Sequence, residues 1–85
     1  MEIRYTHHAE DKLADETFAE SMVITKDTIG LAIVHPDHEE VMEDGKIRAV
    51  GILSNSLSLV VIYKDLGEYF LVITFWPAKR GRYER

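Results

Sequence analysis

Eighty-five residues, 46% of them hydrophobic and none of them cysteine, suffice for one domain, read as spanning 1–85, and exclude a disulfide scaffold, a thiolate metal site and a cysteine nucleophile. The formal charge of −5 is unevenly divided: residues 1–45 carry 12 acids and 3 bases (−9), and residues 46–85 carry 3 acids and 7 bases (+4). The longest apolar runs, Leu59 to Tyr63 and Phe70 to Ile73, fall far short of the ~20 residues a membrane helix needs, and Met1-Glu2-Ile3-Arg4 lacks the pattern of a secretion signal, so a cytoplasmic protein is expected.

Glu2 to Thr6 alternates polar and apolar residues and predicts a short strand. From Ala9 the spacing changes. Ala9, Leu13, Ala14, Phe18 and Met22 recur every three to four residues with acids between them, which predicts an amphipathic helix with an acidic wet face and Thr6 as its N-cap. A second helix is signalled by Thr25 as a cap, Asp27 in the first turn, and Ile24 and Ile29 at the two positions of a hydrophobic staple. Ile29, Ala32 and Ile33 supply its buried stripe, and His35-Pro36 ends it, because the residue before proline is driven out of the helical region.

Beyond Pro36 the pattern is β. Glu40 to Glu43 and Lys46 to Leu53 flank Asp44-Gly45, which predicts a two-residue hairpin turn. Leu57 to Tyr63 is nearly all apolar and predicts a central strand covered on at least part of both faces. Tyr69 to Trp76 is the last strand, and Pro77 is expected to stop it. The predicted fold class is α+β, in the order β-α-α-β-β-β-β, with two N-terminal helices packed on an antiparallel meander.

Chemistry is sparse. The histidines at 7, 8, 35 and 38 have no metal-ligand spacing, so no metal is expected, and the glycines form no phosphate-cradling motif, so no cofactor is expected. The serines lie in no nucleophile elbow. What remains is the C-terminal stretch, in which Lys79, Arg80, Arg82 and Arg85 stand among the last seven residues with Tyr83 between them. Guanidinium groups match phosphate oxygens bidentately, and a tyrosine stacks on an unpaired base or exchanges a proton. Arg48, on the preceding hairpin, is a further candidate for the same surface. A solvated basic tail is the competing reading.

Several short motifs resemble one small prokaryotic family of unknown function grouped with the RelE/ParE toxin superfamily. They are Tyr5-Thr6-x-His8-Ala9, Ile24-Thr25-x-x-Thr28-Ile29, His35-Pro36, Asp44-Gly45, and the ending from Ile73-Thr74-Phe75 to Arg82-Tyr83. The resemblance implies a RelE/ParE-like domain and a toxin of a toxin–antitoxin pair, with an antitoxin protein as partner. RelE-type members cleave mRNA on the ribosome without a metal: the ribose 2′-oxygen attacks the neighbouring phosphate, assisted by basic residues and a C-terminal aromatic. Carried over by position, Tyr83, Arg82 and Arg80 resemble the catalytic group, and Arg48, Lys79 and Arg85 resemble RNA-binding cations. His8 matches the family's His-Ala at the helix start, as a structural or site residue. The chain departs from RelE-type toxins in its acidity, with a pI of about 5.2. A non-catalytic binding module of the same fold, gyrase-inhibitor-like as in ParE-type members or inactive, is therefore the alternative.

Overall fold

Alternation over Glu2–Tyr5 forms strand β1, and Thr6 ends it by turning its side chain onto the backbone that follows. In the computed structural model, which describes residues 2–15 and 24–81, the Thr6 hydroxyl accepts a hydrogen bond from Ala9 N at 3.2 Å and so caps helix α1, His7–Ala14. The helix thus starts two residues before the apolar spacing does. The expected continuation through Phe18 and Met22 lies outside the described residues.

Helix α2, Lys26–Val34, begins as its sequence predicts. Thr25 and Thr28 form a reciprocal capping box, with Thr28 N bonded to the Thr25 hydroxyl at 3.2 Å and Thr25 N bonded to the Thr28 hydroxyl at 2.9 Å. The staple residues Ile24 and Ile29 are both buried, and the helix ends at His35 ahead of Pro36.

Four more strands follow: β2 (His38–Val41), β3 (Ile47–Ile52), β4 (Leu57–Asp65) and β5 (Tyr69–Lys79). They form a sheet in the order β1-β5-β4-β3-β2, so the apolar β4 is central, as predicted. Three expectations are corrected. The sheet is mixed, because β1 runs parallel to β5, with Glu2 beside Tyr69 and Tyr5 beside Val72. A four-residue alternation fixes a strand's faces but not its neighbour. Second, the β2–β3 turn has three residues rather than two: Gly45 N bonds to Met42 O and Met42 N to Lys46 O, with Gly45 at φ 85. A lone left-handed glycine closing a three-residue loop relieves the preceding aspartate of a positive φ. Third, β5 runs through Pro77 to Lys79. β1 pairs only with Tyr69–Val72, so Pro77 lies on an edge where a missing N–H deprives no neighbouring strand.

The register divides the sheet into two faces. Ala49, Leu59, Val61, Tyr63, Val72 and Phe75 lie on one and pack against Ala9, Ile24, Ile29, Ala32 and Ile33 of the helical side. Fully burying a side chain such as Phe75, Ile29 or Leu59 contributes roughly 1.5–3 kcal/mol each. Val50, Val60, Ile62 and Ala78 form a second cluster on the opposite face, screened by Met42 and Trp76 and by no helix residue among those described.

A bulge falls in β5. Ile62 pairs with Thr74 and Tyr63 with Val72, which leaves Ile73 over. Thr6 secures it: Thr6 N donates to Val72 O at 3.0 Å and the Thr6 hydroxyl to Ile73 O at 3.0 Å. Past this point Lys12 of α1 donates to the Phe75 carbonyl, covering strand edge that β1 does not reach.

Candidate functional site

The two ends of the sheet carry different charges. At one end of the sheet lie the β2–β3 and β4–β5 turns, which carry Glu43, Asp44, Asp65 and Glu68, with Lys46 paired to Asp44 at 3.0 Å. At the other lie the β3–β4 turn, the end of β5 and, at the far side of the sheet, Asp37 ahead of β2, whose N–H donates to Val50 O at 2.8 Å. There the turn is Ser54-Asn55-Ser56, uncharged and exposed, and beside it stand Lys79 and Arg80, both exposed. Lys79 pairs with Leu57 across the ladder, and Arg80 N donates to Ser56 O at 3.1 Å, so the strand end is fastened to the turn. The Ser54 hydroxyl closes the turn by accepting from Leu57 N (3.1 Å) and Ser56 N (3.3 Å). Gly81, at φ 88, follows in a backbone conformation that side-chain-bearing residues rarely adopt. Two cations, two hydroxyls and an amide therefore share one rim, and neither the turn nor the strand end contains a carboxylate. Such a rim suits an anion with several oxygens.

Of the other predicted residues, Arg82, Tyr83 and Arg85 lie outside the described residues. Arg48 is on β3, in a cross-strand row with Glu40, Ile62 and Thr74, on the face of the second cluster. Its guanidinium bonds to the Glu40 carboxylate at 2.9 Å. From the Thr74 row to the Lys79 row is five residues, about 17 Å along the strand at the usual rise. Arg48 is also two strands across, about 10 Å. The backbone thus sets Arg48 apart from Lys79 and Arg80.

His8 belongs to a different group. Its Nε2 lies 3.2 Å from the Thr74 hydroxyl, and Lys12 Nζ donates to the same hydroxyl at 3.4 Å, one helical turn further on. Lys12 also stands 4.8 Å from the centre of the Phe75 ring. Burial holds its ammonium below the ordinary lysine pKa. This cluster closes the β5 edge. Sequence spacing shows that His8 and Lys12 share a helix face, but their convergence on Thr74 depends on where β5 passes, which no local pattern reveals.

Among the described residues no group of three or more His, Asp or Glu side chains is disposed to hold a metal ion, and no helix is long and apolar enough to cross a membrane. Comparison with known protein families, with curated proteins and with solved structures finds no match.

Proposed function

We propose that this chain is the toxin-like component of a toxin–antitoxin pair, a RelE/ParE-like domain whose basic sheet end meets an RNA phosphate on the ribosome and promotes metal-independent cleavage of mRNA. The observation that carries the reading is the basic end of β5, with Lys79 and Arg80 fastened beside a carboxylate-free serine turn. The motif resemblance supplies the reaction class. In that chemistry the 2′-oxygen attacks phosphorus, charge gathers on the phosphoryl oxygens, and the 5′-oxygen leaves with a proton. Arg80 and Arg82 stabilise the gathering charge, and Tyr83 serves the proton transfers. One well-placed donor contributes ~10²–10³ in rate. Controlled expression of the intact protein is expected to arrest growth, with Arg80→Ala or Tyr83→Phe relieving the arrest. Undiminished arrest by folded variants at both positions removes this site.

The Arg48–Glu40 ion pair favours a second reading, in which the domain binds without cutting. A guanidinium already engaged by a carboxylate contributes less positive potential to a phosphate. On this reading the purified protein leaves mRNA intact on translating ribosomes and acts on a protein target, of which gyrase is the first to assay.

A further inference from the structure

Strand β2 ends the sheet, and among the described residues it is paired on one side only. The ladder decides which of its backbone groups are left over. Met42 N donates to Lys46 O at 2.8 Å, so these two residues form a hydrogen-bonded pair. Antiparallel pairs alternate between bonded and non-bonded, which makes Glu40 with Arg48 and His38 with Val50 the next bonded pairs. Glu39 and Val41 therefore turn their N–H and C=O groups away from β3, towards the outer edge. Val41 is also the most exposed large hydrophobic residue among those described, at 69%. An edge of this kind has the groups to bind a further strand.

The carboxylates of β2 select which strand. A second copy of the chain, paired antiparallel about a two-fold axis, must set the outward residues against one another. Glu39 against Glu39 is one such register. Glu39 against Val41 brings Glu40 onto Glu40, and Val41 against Val41 brings Glu39 onto Glu43. Each of these places two like charges directly opposite, which is destabilising. The edge is thus blunted against its own copy and open to a cationic strand.

The neighbouring surface agrees. Glu40 and Met42 share the face of the second cluster, and with Glu43 and Asp44 they line an open groove of about 420 Å³ that has no cation in its lining. Arg48 pairs with Glu40 at 2.9 Å and Lys46 with Asp44 at 3.0 Å. Glu43 enters no ion pair among the described residues, and neither does Glu39. A surplus of negative charge therefore remains after the edge's own pairs are formed. Met42 adds an apolar floor, against which the aliphatic stem of a lysine or arginine can lie.

We infer that the outer edge of β2 takes an extended basic segment of a partner protein as a further strand of the sheet, hydrogen-bonded to Glu39 and Val41. Its side chains alternate between faces, with cations over the groove at Glu40, Met42 and Glu43 and apolar groups beside Val41. The inference does not rest on the nuclease reading. β2 lies three strands from β5, so loss of activity in Arg80→Ala would leave this edge untouched.

The test titrates the full-length protein with two synthetic peptides of about six residues, one alternating valine with lysine and the other valine with glutamate. Amide hydrogen exchange reads the geometry. The lysine peptide should slow exchange at Glu39 and Val41 and leave Glu40 and Met42, already bonded to β3, as they were. It should also bind at least about tenfold more tightly than the glutamate peptide, and Glu39→Gln with Glu43→Gln should remove most of that preference. Val41→Pro deletes an outward N–H without taking a bond from β3, so it should abolish binding. The glutamine pair carries the test should the proline variant unfold. Unchanged exchange at Glu39 and Val41, equal binding of the two peptides, or binding that survives in folded Val41→Pro overturns the inference. So does a concentration-dependent dimer that Val41→Pro dissociates, which would assign the edge to a second copy of this chain.

Discussion

The Thr6 hydroxyl donates to the carbonyl of Ile73, the residue left over by the bulge in β5, while accepting from Ala9 N at the start of α1. One side chain therefore starts a helix and holds an irregular strand edge. Thr6→Val keeps the shape and removes both bonds, so it is expected to cost about 2 kcal/mol, combining a lost cap with an orphaned carbonyl. Thr6→Ser should recover most of it. Urea unfolding monitored by circular dichroism measures both; equal stability of the valine variant would show that neither bond matters.

The two glycines near α2 should respond with opposite signs. Gly51→Ala drives a methyl to 2.9 Å from the Ala32 Cβ and 3.0 Å from its Cα, and is expected to destabilise by about 1–3 kcal/mol. Gly30→Ala meets only ordinary contact and should stabilise by about 0.5–1 kcal/mol. Paired denaturation curves decide it, and destabilisation by Gly30→Ala would contradict the space described around it.

Tyr63 predicts a slope in stability at alkaline pH. Burial, followed by the charge of Glu39 and the bond from the Tyr63 hydroxyl to that carboxylate (3.4 Å), pushes the phenol up to about 12 from 10. Between those values the unfolded chain loses the proton first, so the unfolded state holds fewer protons. Stability from this group is complete below pH 10 and is lost as pH rises through about 12. Tyr63→Phe should flatten that part of the curve, read as the urea midpoint against pH. An unchanged slope would assign it to other groups.

Much of this fold was legible in local chemistry. Thr25 with Ile24 and Ile29 announced α2, and the apolar run Leu57 to Tyr63 announced the central strand, because caps and burial act within a few residues. The parallel pairing of β1 with β5 joins segments far apart in sequence and leaves no mark on either. Pro77 misled for a related reason: proline halts a strand flanked on both sides, and the short reach of β1 leaves one side of β5 unpaired there among the described residues. At the site, Lys79 and Arg80 stood out by charge alone. The fastening of Arg80 to Ser56, and the separation of Arg48 by about 17 Å along the strand, depend on register.

The central claim is that the basic sheet end acts on an RNA phosphate, and translating ribosomes stalled on a defined mRNA test it most directly. Primer extension after adding the purified protein should reveal a cut within the exposed codon. A 2′-deoxy sugar at that position should block the cut, and Arg80→Ala or Tyr83→Phe should slow it by at least about a hundredfold. An mRNA that stays intact with the wild-type protein, or a cut that persists across the deoxy sugar, would contradict the account.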